Sequence, residues 1–292
     1  MIKRSRVILL IPRDILRIFY MRAFSLSSLF RIIDPSTFAH REFGFVFVEN
    51  GKEIFKRNRS FETPEDLLRF VRTEIPHAVL VGGLYDPPPR GVSITKLKWL
   101  GRELIFDLDL TDYDDIRTCG KGKDHVCRKC WPLIVDAALF IDETLREDFG
   151  FRKITWVFSG RRGLHAWITD KDAIYLGEEA RDTIIEWISP STEKINRPFY
   201  WQQRALRILG KAMNIDLTNA ITLGLKERIF RIWREKVLKR LPRVDRKVTI
   251  DLNRLLRMPG SIHPATGRLV MIIKDIQSFY VDDAPTVYEL VY

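Results

Sequence analysis

Cysteine is scarce in this chain, and so are side-chain amides and long apolar runs. The three cysteines all fall within residues 119–130, and an odd number confined to one short stretch excludes a disulfide-stapled scaffold. No run of eighteen apolar residues occurs, which excludes a membrane-spanning helix and with it a membrane role. The opening MIKRSRVILLIPRDILRIFYMRAF is interrupted by Arg13, Asp14 and Arg17 and lacks a small-residue cleavage site. It therefore reads as an amphipathic helix and not as a signal peptide. Three glutamines and six asparagines beside 30% charged residues match the habit of heat-adapted proteins. There is no internal repeat, low-complexity linker or compositional break, so residues 1–292 are expected to form one elaborated domain.

What the chain does have is positive charge and enough apolar material for a core. Its formal net charge is +11 and 46% of its residues are hydrophobic, so a sizeable core should carry a surface that attracts polyanions, nucleic acid first among them. Along the chain, EFGFVFVENGKEIFKRNRSF places apolar runs on both sides of Asn50-Gly51, a hairpin signal, with Phe43, Phe45 and Phe47 on one face. Thr63-Pro64-Glu65-Asp66 caps a helix running to about Arg72. YDPPPRG, residues 85–91, is a loop. Pro132 opens a helix with Leu133, Ala137, Ile141 and Leu145 on its apolar face, ending at Gly150. KITWVF and LHAWI read as short strands around SGRRG, and KVTIDL and LVMII as later strands. Residues 177–240 are mostly helical by periodicity, broken at Asn196-Arg197-Pro198, and their basic end RIFRIWREKVLKR reads as a solvated helix face. Strands and helices are interspersed, so the fold class is α/β in the mixed α+β sense, with a partly helical insertion.

Four stretches carry chemistry. In ELIFDLDLTDYDD, residues 103–115, Asp107 and Asp109 sit two apart on a strand and so project on one side, where they repel unless a cation lies between them. CGKGKDHVCRKC offers Cys119, His125, Cys127 and Cys130, four ligands of the types that make a closed structural zinc site. Ser159-Gly160-Arg161-Arg162-Gly163-Leu164-His165 combines turn-forming glycines with donors suited to a triphosphate. PRVDRKVTIDLNRLLRMPGSIHP, residues 242–264, adds Arg257, His263 and a third acid, either Asp245 or Asp251. Carboxylates for hard Mg²⁺ or Mn²⁺, an anion cradle and a basic surface together predict metal-assisted nucleotidyl transfer.

FDLDLTDYDD, the cysteine cluster, SGRRGLH, then RVD with RMPGSIHPATG, in that order over roughly residues 35–270, resemble the catalytic small subunit of the archaeal and eukaryotic DNA primases. The resemblance implies a mixed α/β catalytic core with an inserted zinc motif. It implies an enzyme that makes short RNA primers, or DNA primers, on a single-stranded DNA template from nucleoside triphosphates. It assigns Asp107, Asp109 and Asp245 as the catalytic metal-binding triad, preferring Asp245 to Asp251. It makes Ser159, Arg161, Arg162 and His165 nucleotide-binding, puts Arg257 and His263 on the phosphates, and sets Arg57 and Glu42 near the nucleotide. Family zinc sites vary in their fourth ligand, and since Cys119 is followed by Gly120, His125 is the substitute here. The implied partners are an iron–sulfur large subunit and the replication machinery, in the cytoplasm (nucleoid) of an archaeon or the nucleus of a eukaryote. Brevity and low amide content favour an archaeal source. A repair-type primase-polymerase and a non-catalytic zinc-bearing nucleic-acid module are the rival readings. The cysteine cluster speaks against the first, and the clustered acids against the second.

Overall fold

The structure is a computed structural model that describes residues 11–49, 52–190, 197–211 and 233–292. The Asn50-Gly51 turn, most of RIFRIW and the first ten residues lie outside them. Helix α1 spans Arg13–Arg22 and α2 Ser27–Phe30, with α3 at Pro64–Glu74. Thr63 and Asp66 form a reciprocal cap at the start of α3, and Ile75 ends it in a left-handed conformation. Later come α4 (Trp131–Phe149), α5 (Lys171–Ile174), α6 (Glu178–Ile188), α7 (Phe199–Ile208), α8 (Arg246–Ile250) and α9 (Val287–Val291).

Two antiparallel sheets organise these helices. The first runs β2 (Lys52–Arg59), β1 (Arg41–Glu49), β3 (Ala78–Asp86), β4 (Lys98–Gly101), with β8 (Leu256–Arg257) also pairing to β3. The second runs β5 (Leu104–Asp109), β7 (Gly163–Ile168), β6 (Ile154–Phe158), β9 (Met271–Ile272). The fold is thus mixed α and β as expected. Because its sheets are antiparallel throughout, no crossover helices are required between paired strands.

Strand β5 shows how alternation places the site. Leu104, Phe106 and Leu108 join the core that contains Ile134, Ala138 and Ile141 of α4. Ile105 faces the other way and shares a core with Val157, Trp167, Val79, Val81 and Leu256, which binds the two sheets together. Asp107 and Asp109 follow Ile105 at two-residue steps, so they project on the same side as Ile105, toward the first sheet. Their side chains keep 23% and 33% exposure, so the apolar seal between the sheets gives way to solvent here.

Four sequence expectations change. KVTIDL is not a strand: residues 246–250 form the helical turn α8. The Asp245 side chain accepts the Lys247 N–H at 3.0 Å, and this cap overrides the β-branched run that suggested a strand. LVMII contributes only Met271–Ile272 plus one bridge from Leu269 to Ile262. Tyr85 and Asp86 belong to β3 and not to the following loop. Helix α4 also buries more than the one face expected, since Phe140 packs with Trp201, Leu206 and Leu209 in a separate core.

Candidate active site

The SGRRG loop is the tight connection between β6 and β7. Ser159 and Gly163 close it, through Ser159 N–H to the Gly163 carbonyl at 3.0 Å and Gly163 N–H to Ser159 Oγ at 3.2 Å. Both glycines are needed for space. A Cβ on Gly163 would lie 2.1 Å from the Leu108 carbonyl oxygen, and one on Gly160, whose φ is +89°, would lie 2.6 Å from His263 Cβ. The loop is therefore pressed against both the aspartate strand and the histidine segment.

The pairing of β5 with β7 sets His165 opposite Asp107 and Gly163 opposite Asp109. His165 Nε2 lies 3.4 Å from Asp107 Oδ1. Burial pushes the Asp107 carboxyl up, but His165, Arg257 and Arg162 outweigh it and hold the group below the usual carboxylate range. Arg162 donates Nε and Nη2 to the two oxygens of Asp109 at 2.7 and 2.6 Å. Asp109 Oδ1 also receives the N–H and hydroxyl of Thr111, at 2.9 and 2.7 Å.

The third acid comes from far along the chain. Val244 bridges Leu108 on the free edge of β5, and Asp245 N–H donates to the Asp107 carbonyl at 3.1 Å. Asp251 instead ends α8 and accepts the Asn253 N–H at 2.9 Å. Desolvation, followed by the like charges of Asp109, Asp107 and Asp245, pushes Asp112 up to about 6. Carboxylates such as Asp107, Asp109 and Asp245 are hard oxygen donors of the kind that suit divalent cations. Sequence reasoning missed Asp112, although it lies in the same acidic stretch, because its perturbation comes from folding.

Arg257 and His263 also reach this region. Arg257 donates Nε to the Ser159 carbonyl at 3.3 Å. His263 Nδ1 accepts the Ala265 N–H at 3.1 Å, so the neutral ring carries its proton on Nε2. Burial first, then the cations Arg257, Arg161 and Arg162, push His263 down to about 2. Nδ1 of the buried His165 ring has no hydrogen-bonding partner among the described residues. Arg161 pairs with Asp124 of the cysteine loop. Glu42 and Arg57 form a bidentate pair at 2.9 Å on the first sheet, with Arg57 also donating to the Asn253 carbonyl at 2.7 Å. Their contacts run to Asn58 and Asn253 and not to the aspartates. Arg57 lines a cavity of about 280 Å³ with Glu53, Phe55, Arg254 and Leu255.

Residues 106–275 match the family model described as DNA primase small subunit. The DNA primase small subunit of Schizosaccharomyces pombe is 30% identical, over 87% of this chain and 70% of that protein. That of Drosophila melanogaster is 28% identical, over 96% and 81%. The DNA primase small subunit PriS of Archaeoglobus fulgidus is 28% identical, over 84% and 76%. The chain belongs to the DNA primase small subunit family.

As a primase small subunit it is a template-directed nucleotidyltransferase that makes primers for DNA replication, with metal-dependent chemistry. The primase cysteine loop gathers a ligand set of the expected kind. One ligand atom from each of Cys119, His125, Cys127 and Cys130 lies within 4.8 Å of the others. Two local observations fit zinc there: His125 Nε2 is buried and has no partner at hydrogen-bonding geometry among the described residues, and the Cys127 and Cys130 sulfurs are 3.6 Å apart. Burial opposes ionisation of Cys127, yet the neighbouring Cys119 thiol and the backbone of Cys130 and Lys129 hold it well below the usual thiol range. The loop is also tied to the acidic segment. Arg117 donates to Asp114 at 2.6 Å and to the His125 carbonyl at 2.5 Å, and Gly122 N–H reaches Asp114 at 2.8 Å. Among the described residues no helix is long and apolar enough to cross a membrane.

Proposed function

We propose that this primase small subunit transfers nucleotides at Asp107, Asp109 and Asp245, holding Mg²⁺ or Mn²⁺ there, with the incoming triphosphate in the cradle of Ser159, Arg161, Arg162, His165, Arg257 and His263. The observation that carries this reading is that the main chain brings Asp245 beside the strand that carries Asp107 and Asp109. Those two lie on one face of β5, and the third acid is tied to the strand's free edge by the Leu108–Val244 bridge and the Asp245 N–H. Divalent cations bound to these carboxylates would activate an attacking 3′-hydroxyl and offset charge on the departing pyrophosphate. The chain's own part is to aim cations at the phosphates and to hold the acids in register. His263, uncharged and proton-bearing at Nε2, suits donation to a phosphate oxygen. Glu42 and Arg57 border the nucleotide from the first sheet.

In this reading Cys119, His125, Cys127 and Cys130 hold zinc, a closed set with a structural role. Residues 1–292 act as one catalytic domain that includes the segment 177–240, of which residues 191–196 and 212–232 lie outside the described ones. The partners are single-stranded DNA, nucleoside triphosphates and a large subunit. Because the three cysteines all sit in the zinc set, an iron–sulfur cluster would belong to that large subunit. The workplace is wherever chromosomes are replicated, the nucleus or the cytoplasmic nucleoid. Primer synthesis on unprimed single-stranded DNA, with ribonucleotides and Mg²⁺ or Mn²⁺, tests the reading. De novo products from the protein and none from the Asp245→Asn variant are expected. Equal synthesis by both would remove the triad assignment.

A further inference from the structure

Arg181, on α6, is fully buried, and among the described residues every hydrogen bond from its side chain goes to a backbone carbonyl. Its Nη1 donates to Glu103 at 3.0 Å and to Thr249 at 3.4 Å, its Nη2 to Arg102 at 2.6 Å and its Nε to Leu176 at 2.8 Å. Burial, followed by the charge of Arg102, pushes this guanidinium down to about 9. Glu103 acts the other way but is committed to Arg41. A buried cation without a carboxylate of its own costs stability. What the guanidinium contributes is reach, because a planar fork can hold several segments of main chain at once.

Those segments are the start of β5, the turn before α6 and the C-terminal end of α8. The opposite end of α8 begins at Asp245, where the Asp245 N–H reaches the Asp107 carbonyl and Val244 bridges Leu108. Helix α8 is thus fastened to β5 at both ends. Held at Asp245 alone, it could swing about that point. Arg102 Nη1 reinforces the far end through the Val248 and Asp251 carbonyls, at 2.9 and 3.3 Å, and Arg181 grips the Arg102 carbonyl from which that side chain departs. Arg246 also links α8 to Asp182 and Glu186 of α6, but these pairs are exposed and so contribute little.

We propose that Arg181 is a positioning residue for Asp245, keeping its carboxylate in register with Asp107 and Asp109 for cation binding. This rests on the reading of Asp245 as the third metal-binding acid.

The test is Mn²⁺ binding to the nucleotide-free protein, read from the paramagnetic signal of the free ion, with a melting curve for each variant. Arg181→Met removes the fork and should weaken Mn²⁺ binding about tenfold, the scale on which metal sites respond to loss of a supporting bond behind a ligand. In an Asp245→Asn background the same substitution should change the affinity about twofold or less, because its effect passes through Asp245. Arg181→Lys keeps the charge without the fork, should fall between wild type and Arg181→Met, and carries the test if the methionine variant does not fold. Arg204→Met is the control for lost stability: it removes a buried arginine that joins α7 to Glu143 and Asp148 of α4, and Mn²⁺ affinity should not change. In primer synthesis Arg181→Met should lower kcat and leave the KM for nucleoside triphosphate level, since Arg181 touches none of the cradle residues. Wild-type Mn²⁺ affinity in Arg181→Lys, an equal loss from Arg204→Met, or a full further loss from Arg181→Met in the Asp245→Asn background would each overturn the positioning role and leave the triad standing. Unchanged Mn²⁺ binding in Asp245→Asn itself would remove both.

Discussion

The backbone N–H of Asp245 donates to the carbonyl oxygen of Asp107, 3.1 Å away. Two acids remote in sequence are therefore tied together by main chain, and the Asp245 side chain adds only a cap on α8 that asparagine can keep. Substituting the side chains should leave the scaffold standing.

Asp109→Asn and Asp245→Asn should accordingly fold normally and lose primer synthesis by roughly a hundredfold or more. Asparagine preserves the caps to Thr111 and Lys247 and relieves like-charge repulsion, so melting should stay level for Asp245→Asn and fall slightly at most for Asp109→Asn, which also loses its ion pair with Arg162. Parallel melting and synthesis assays check this, and wild-type synthesis would be incompatible with the triad.

Cys127→Ser should release zinc and lower the melting temperature, since closed zinc sites contribute folding energy. Elemental analysis of protein purified without chelator should find one zinc per chain in the wild type. A metal-free wild type would refute the zinc reading.

Gly163→Ala should destabilise by about 1–3 kcal/mol, the usual range for forced overpacking, because its Cβ would meet the Leu108 carbonyl at 2.1 Å. Strand β5 must shift to make room, so synthesis should fall as well. Denaturant unfolding beside activity measures both, and an unperturbed variant would contradict the packing described.

Arg41 and Glu103 form a bidentate pair at 2.8 and 2.9 Å, with side-chain exposures of 1% and 3%. Arg41→Met leaves a buried carboxylate without its hydrogen-bonded cation and should cost about 3–5 kcal/mol, whereas the double variant with Glu103→Leu should recover part of it, since Glu103 also balances the buried Arg102. Chemical denaturation of the single and double variants decides.

His263 ties stability to pH. Its folded value of about 2 lies below the unfolded value of about 6.5, so on acidification the unfolded chain takes up the proton first. Its contribution is intact above about pH 6.5 and lost at up to about 1.4 kcal/mol per pH unit below it. His77, lowered chiefly by burial, has the same sign. His263→Gln should flatten the decline in stability between about pH 6.5 and 5 without abolishing it. Unfolding curves across that range test this.

Legibility in the sequence followed the range of the cause. Asp107 and Asp109 were visible because strand alternation is local, and the cysteine cluster because its ligands are close in the chain. The SGRRG loop was visible through its glycines. Asp245 could not be chosen over Asp251 from local pattern alone, since its place depends on the bridge between Val244 and Leu108. The same segment was misread as a strand because one side-chain cap outweighs the preference of Val248, Thr249 and Ile250. The second buried face of α4 and the raised Asp112 were hidden for a related reason: each depends on groups that only folding brings near.

The two glycines of SGRRG bear on any attempt to transplant this site. Gly160 abuts His263, and Gly163 abuts the main chain of Leu108, so loop, strand and histidine segment interlock like a mortise joint. Grafting SGRRG alone into another scaffold would import its arginines without the hollows that seat the glycines. A working chimera has to move residues 104–113, 154–168, 243–251 and 256–272 as one block.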